Sequence, residues 1–213
     1  SVKKAVEWAV EWAEQRGWPL VFNMSYGIEA DREGLSDIDK LVDDTLLLDF
    51  ADEASVVQTR FPTTTLALFR AALGEDVEPL ITAGTAALQA PLPADPAGFD
   101  QFVFLGRGWA IGLAEEAALK TRESAQAWAE AYPALDYRHG PISIASPRSL
   151  VWILGEAPAG LVEEVAATGA TVVSTGADPL IDLVTVHRLA LALAAALLAA
   201  AGWAVQSLDA VNL

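Results

Sequence analysis

Side chains able to do chemistry are sparse in this sequence. There is no cysteine, which excludes disulfide scaffolds, thiolate metal sites and cysteine nucleophiles. The two histidines, His139 and His187, exclude a multi-histidine zinc site and leave a Ser-His-Asp arrangement few ways to form. Gly106 and Gly108 flank Arg107 between an apolar run and a helical stretch. N–H groups at a helix start attract anions, so Gly106, Arg107 and Gly108 form a candidate phosphate- or anion-binding turn. The same glycines equally serve a close passage from strand to helix. Through Gly112 the spacing is G-x-G-x-x-x-G, one residue longer than the dinucleotide fingerprint. Glu116 and Lys120 make an i,i+4 pair on one helix face, and as a surface pair they need no function. Asp37, Asp39, Asp43 and Asp44 lack calcium-loop spacing and read as a solvated acidic face. No metal and no cofactor is expected.

These residues must be carried by a scaffold, and the composition bounds it. The chain has 213 residues, 53% of them apolar and 20% charged, enough for one large domain. With 29 acids against 13 bases the net charge is −16, which repels nucleic acid and anionic membrane. The N-terminus reads Ser1-Val-Lys-Lys with no signal peptide, so a cytoplasmic location is expected. Residues 189–205 carry no charge, but alanine dominates and Gly202 interrupts them. They read as a buried helix and a buried strand rather than a membrane span.

Apolar runs and helical patterns alternate along the chain. Strands are predicted at 19–23, 45–49, 101–105, 149–154, 170–174 and 203–208. Helices are predicted at 3–16, from about 61 to Gly74, at 76–90, from Gly108 to about Glu123, at 124–132, 157–168 and 179–201. Pro91, Pro93 and Pro96 mark a crossover or sub-boundary at 91–98. The strands lack two-residue alternation, the mark of a parallel sheet covered on both faces. The reading is a single three-layer α/β/α sandwich over 1–213, with a mostly parallel, doubly wound sheet of about five or six strands. Ligands bind such sheets at the carboxyl ends of the strands, here 23–27, 49–53, 106–108 and 174–178.

The stretch Phe104-Leu-Gly-Arg-Gly-Trp-Ala-Ile-Gly-Leu-Ala-Glu-Glu-Ala-Ala-Leu-Lys120 resembles the sugar isomerase (SIS) domain. So do Glu123, Ala129-Glu-Ala-Tyr132 and Tyr137-Arg-His-Gly-Pro141. Upstream, Ala54-Ser-Val-Val-Gln-Thr-Arg60 resembles the segment closing the first SIS domain of two-domain members. The likeness runs from about 46 to 195, with its core at 101–185. It implies aldose–ketose isomerisation or deamination of a hexosamine phosphate. Glu123 would be the base between C1 and C2, His139 would assist ring opening, Lys120 would belong to the same active-site helix, and Glu130 would play a more structural part. The family's Ser/Thr-rich phosphate loop, its first-domain half and its Asn-x-x-x-Pro-Arg-x-Leu tail are not found.

The flanks resemble other families. Val10-Glu-Trp-Ala-Glu-Gln15, Leu20-Val-Phe-Asn-Met-Ser-Tyr-Gly27 and Glu33-Gly-Leu-Ser-Asp-Ile-Asp39 are similar to the middle of a subtilisin-type protease, without any triad segment. Leu197-Leu-Ala-Ala-Ala-Gly-Trp-Ala-Val205 is similar to a helix-to-strand passage of a cobalamin-binding domain. There His187 falls near the ligand position, but Thr185 and Ala190 stand where that family has Asp and Gly. Three incomplete fragments suggest a designed, generated or chimeric chain, a stable scaffold without natural catalysis. The alternative is a sugar-phosphate binding protein, isomerase or deaminase using Glu123 and His139. Trp8 and Trp12 lie one turn apart on a wide apolar arc, which suggests a homodimer through the first helix.

Overall fold

Apolar runs at 101–106 and 149–153 become the two central strands of a sheet because both of their faces are covered. In this computed structural model, residues 48–201 are described, together with Glu11 and Gln15. Residues 1–50 and 51–213 form two compact units. In the second, two helices, α1 (Arg60–Ala72) and α2 (Glu78–Gln89), precede strand β1 (Gln101–Gly106). Then follow α3 (Ala110–Ala125), β2 (Trp128–Pro133), β3 (Ser149–Ile153), α4 (Leu161–Ala166), β4 (Thr171–Ser174) and α5 (Pro179–Ala200). The proline-rich stretch forms the link from α2 to β1, with a 3-10 turn at Pro96–Gly98.

The sheet has the order β2-β1-β3-β4, with every neighbouring pair parallel. Alternate side chains of the strands feed two cores. Phe102, Phe104, Leu150 and Trp152 pack with Ala114, Ala117 and Ala118 of α3 and Leu183, Val186 and Leu189 of α5. Val103, Leu105, Val151 and Ile153 pack on the other side with Leu161 and Val165 of α4 and with Tyr137. Helices thus cover both faces, and the fold is the expected mostly parallel α/β/α sandwich. Four strands occur among the described residues. The strands expected at 19–23 and 203–208 fall outside the described residues, as do Trp8, Trp12 and nearly all of the subtilisin-like segments; of 45–49 only Leu48 and Asp49 are described, and Asp49 opens the 3-10 turn Asp49–Ala51 instead of ending a strand.

One element departs from the sequence reading. Residues 124–132 were expected to be helical, since Ala129, Glu130 and Ala131 favour helices. Instead Gln126 adopts the left-handed conformation, φ 51°, and ends α3, and 128–133 pair with β1. A run of edge-strand hydrogen bonds to β1 outweighs intrinsic propensity here. Helix α5 is long and apolar enough, by length and composition, to cross a membrane. Its Leu180, Leu183, Val186, Leu189 and Leu193 are buried in the core, as expected of a core helix.

Candidate functional site

The strand order reverses between β1 and β3, so the loops leaving these two strands part and open a crevice at the carboxyl edge. A cleft of about 240 Å³ lies there, lined by Arg107, Gly108, Trp109, Leu154, Glu156 and Pro179. The turn that forms it needs both glycines. A Cβ on Gly106 would collide with the carbonyl of Ala110, and Gly108 has φ +57°. The N–H groups of Ala110, Ile111 and Gly112 donate to the carbonyls of Arg107, Gly108 and Trp109 at 3.1, 3.2 and 3.2 Å. The exposed Arg107 side chain and the Glu156 carboxylate both line this cleft.

Charged side chains brace this edge. Arg70 donates to both carboxylate oxygens of Asp178 at 2.8 and 2.6 Å and to Glu75 at 2.7 Å, and its guanidinium lies 5.5 Å from the centre of the Trp109 ring. Asp178 also caps α5 by accepting from the Leu180 N–H at 2.9 Å. Burial acts to raise the Asp178 carboxyl, but Arg70 and the Leu180 N–H outweigh it and hold the group below its ordinary range. Beneath the crevice, buried Asp182 accepts from the Gly155 N–H at 2.8 Å, Thr175 Oγ1 at 2.7 Å and Trp152 Nε1 at 3.3 Å. It ties the loops after β3 and β4 together, and burial pushes its carboxyl up.

Glu123 and Lys120 lie elsewhere. Helix α3 starts at the carboxyl edge and runs back along the sheet, so Glu123 stands about 20 Å from Ala110 at ~1.5 Å per residue. Lys120 is not a surface residue: it is 6% exposed, among the core alanines of α3. Its ammonium is 2.8 Å from Glu123 and 3.5 Å from Glu116. Burial pushes the Glu116 carboxyl up, Glu123 adds to this, and Lys120 pulls the other way. The Glu123 side chain keeps 35% of its exposure. A carboxylate that solutes can reach is thus held by a buried cation, with the Glu116 carboxyl, pushed up by burial, on the cation's other side. Such a group can exchange a proton with a bound substrate.

His139 belongs to neither arrangement within one chain. It is exposed in the 3-10 turn Asp136–His139, which follows β2 at the carboxyl edge. Tyr137 of that turn enters the core shared with α4, on the opposite face from α3. Strand β2 causes the separation. Where the sequence suggested a helix, an extended strand carries the chain roughly 20 Å from the amino to the carboxyl edge. The structure joins Lys120 to Glu123 and gathers Gly106, Arg107 and Gly108, but it does not bring His139 to Glu123. Glu130 accepts from Gln101 Nε2 and from the Tyr132 hydroxyl, each at 3.0 Å, and so bridges β1 and β2.

Sequence reasoning missed Asp182, Glu53 and the burial of His187. Glu53 accepts from the N–H groups of Thr59 and Phe61, at 2.9 and 2.8 Å, and closes the start of α1. No local motif marks it, because its partners lie six and eight residues downstream.

No protein-family model matches the chain. The glutamine–fructose-6-phosphate aminotransferase (isomerizing) of Chlamydia caviae is 36% identical over 93 residues, 41% of this chain and 15% of that protein. Its counterpart in Sulfolobus acidocaldarius is 56% identical over 41 residues, 19% of this chain and 7% of that protein. The matches thus span a small part of these relatives' length. Among solved structures, the glucosamine-6-phosphate deaminase of Thermotoga maritima superimposes with a TM-score of 0.57 at 23% identity, over 78% of this chain and 59% of that one. The similarities point to the SIS, or phosphosugar isomerase, family and to its fold, not to a subtilisin-type or cobalamin-binding fragment. They overturn the expectation of a designed or chimeric scaffold without turnover: the relatives are natural enzymes from several organisms.

Proposed function

We propose that the chain acts as an SIS-type enzyme on a hexose or hexosamine 6-phosphate, catalysing aldose–ketose isomerisation or the related deamination. The observation that carries this reading is the 2.8 Å contact between the buried Lys120 ammonium and the half-exposed Glu123 carboxylate. Glu123 takes the proton from C2 of the open-chain aldose and returns it to C1 through an enediolate, while the O2 hydroxyl proton passes to O1, so the C1 carbonyl becomes a hydroxyl and C2 becomes the carbonyl. It ends in its starting state, so no net proton is consumed. Lys120 orients the carboxylate, and its positive charge offsets the charge that develops on the enediolate as the proton leaves C2. The relatives named for fructose-6-phosphate and glucosamine-6-phosphate supply the substrate class.

The roughly 20 Å between Glu123 and the carboxyl edge exceeds the length of a hexose phosphate. Arg107 and His139 therefore serve a sugar at Glu123 only from a second copy. A two-fold dimer with the chains side by side and antiparallel gives two equivalent composite sites. The test is isomerase and deaminase activity of the purified chain on fructose-6-phosphate and glucosamine-6-phosphate. Glu123→Gln should lower kcat by about a hundredfold or more with little change in KM. Mixing inactive Glu123→Gln with inactive His139→Asn should restore roughly a quarter of the activity, because one site of each mixed dimer is intact. Activity insensitive to Glu123→Gln refutes the base. No recovery on mixing refutes the composite site.

A further inference from the structure

His139 is exposed, yet the chain on either side of it is held. On one side stands Tyr137, 1% exposed, with its ring centre 5.8 Å from that of Tyr132. The Tyr137 hydroxyl is buried without a hydrogen-bond partner, so packing holds this side chain and no directed bond does. On the other side the Gly140 carbonyl accepts from the Ser143 N–H at 2.9 Å, and Ile142 packs on the same core as Tyr137. The directed bonds come from Arg138. Its Nε donates to a Glu164 carboxylate oxygen at 2.6 Å, and its Nη2 donates to the Ala159 carbonyl.

Both acceptors belong to the passage from β3 into α4. Gly160 takes φ +78° there, and the Glu164 N–H donates to the Gly160 carbonyl at 3.0 Å, which sets the carboxylate one turn beyond Ala159. Arg138 thus ties the turn after an edge strand to the helix after a central one. An ion pair this open to water contributes little stability. What it supplies is geometry. A guanidinium is flat, and Nε and Nη2 share one edge of it, so two bonds from that edge fix direction as well as distance. Among the described residues the His139 imidazole has no hydrogen-bond partner, and so its backbone alone aims it.

We propose that Arg138 is a positioning residue: clamped to Glu164 and the Ala159 carbonyl, it aims His139 at the ring oxygen of a sugar phosphate bound at Glu123 of a second copy. The inference rests on the isomerase reading above and adds Arg138 and Glu164 to it. In ring opening of fructose-6-phosphate the C2–O5 bond breaks and its electron pair stays on O5. The imidazole gives O5 a proton and takes the proton that the C2 hydroxyl releases as the carbonyl forms, so it ends in its starting state. A group acting on a proton in flight depends on its placement, and misplacement by about 1 Å costs up to about a hundredfold in rate.

The test separates ring opening from proton transfer. 5-Deoxyfructose 6-phosphate has no O5 hydroxyl, cannot close a furanose ring and is always open. Arg138→Gln and Glu164→Gln should lower kcat on fructose-6-phosphate by about tenfold or more and leave kcat on the 5-deoxy sugar within about twofold, the pattern also expected of His139→Asn. The double variant should be no slower than Arg138→Gln, because one clamp is broken once. A merely structural role would slow both sugars alike. Nitrogen-15 relaxation reads the clamp without turnover: the His139 amide order parameter should fall from about 0.85 to below about 0.6 in either variant. Glu164, with 48% of its side chain exposed, can be changed without loss of the fold if Arg138 cannot. The proposal is overturned by equal slowing of both sugars, by no slowing of either, or by a His139 amide as ordered in the variants as in the wild type. Failure of the isomerase reading shows separately, as a rate indifferent to Glu123→Gln.

Discussion

His187 should make the protein lose stability on mild acidification, and the size of the loss can be worked out. Burial lowers its pKa from 6.5 to about 3; the nearby Lys120 charge acts in the same sense, and Glu53 opposes it. Between these two values the unfolded chain binds a proton that the folded chain does not, so unfolding is favoured as pH falls. The stability slope is then about 1.4 kcal/mol per pH unit once pH lies well below 6.5. Integrated from pH 7 to pH 5, with an unfolded value of about 6.5, the loss is about 2 kcal/mol. Urea unfolding at pH 7, 6 and 5 measures it, and His187→Gln is the reference. Glu116 and Asp182, whose carboxyls are pushed up, bend the curve the other way, since they favour the folded state as they gain protons. They remain in both proteins and largely cancel in the difference. The wild-type curve should fall by about 2 kcal/mol relative to the variant over this interval. Parallel curves, or a His187 titration midpoint near 6.5 in the folded protein, would refute the reasoning.

Two further substitution tests concern the scaffold. Gly106→Ala should prevent stable folding or shift β1 against α3, because the new Cβ meets the Ala110 backbone, whereas Gly108→Ala, with open space but φ +57°, should cost only about 1–2 kcal/mol in denaturant unfolding. Glu53→Ala should cost about 2–3 kcal/mol at neutral pH, since it removes a charged acceptor from the start of α1. The Glu53 carboxyl is held below its ordinary value in the folded chain, as the N–H groups of Phe61 and Thr59 outweigh burial. Its contribution is therefore fully present above about pH 4.5 and is lost as pH falls through the lowered folded value, and Glu53→Ala should flatten that limb of the acid-unfolding curve.

The sandwich was legible because β1 and β3 are apolar on both faces, and only a covered parallel strand tolerates that. β2 was not legible: Trp128-Ala-Glu-Ala-Tyr132 has helix-forming residues at its centre, and its strand identity comes from pairing with Gln101–Gly106. The same hidden strand explains why Glu123 and His139 could be picked out from the resemblance while their distance could not. The role of Gly106 in the passage from strand to helix followed from its place between the two. The burial of Lys120 did not, because Glu116 and Glu123 are visible as helix neighbours whether or not α5 lies over them. His187 and Asp182 sit in a helix whose sequence says only that it is apolar, and their environment is set by elements more than a hundred and about thirty residues away, Arg60 and Gly155 among them.

The place of β1 in the middle of the sheet also orders how the chain can fold. β1 and β2 are joined by one helix and pair with each other, so this unit closes a short loop and needs no other strand. β3 then has a template on β1, and β4 has one only after β3 is in place. Parallel pairing of this kind is slow because each crossover must be ordered before its hydrogen bonds are made. Substitutions that weaken Phe104 or Val103 therefore act on the folding rate. Those at Val173, on the last of the four described strands to gain a template, should act mainly on the rate of unfolding.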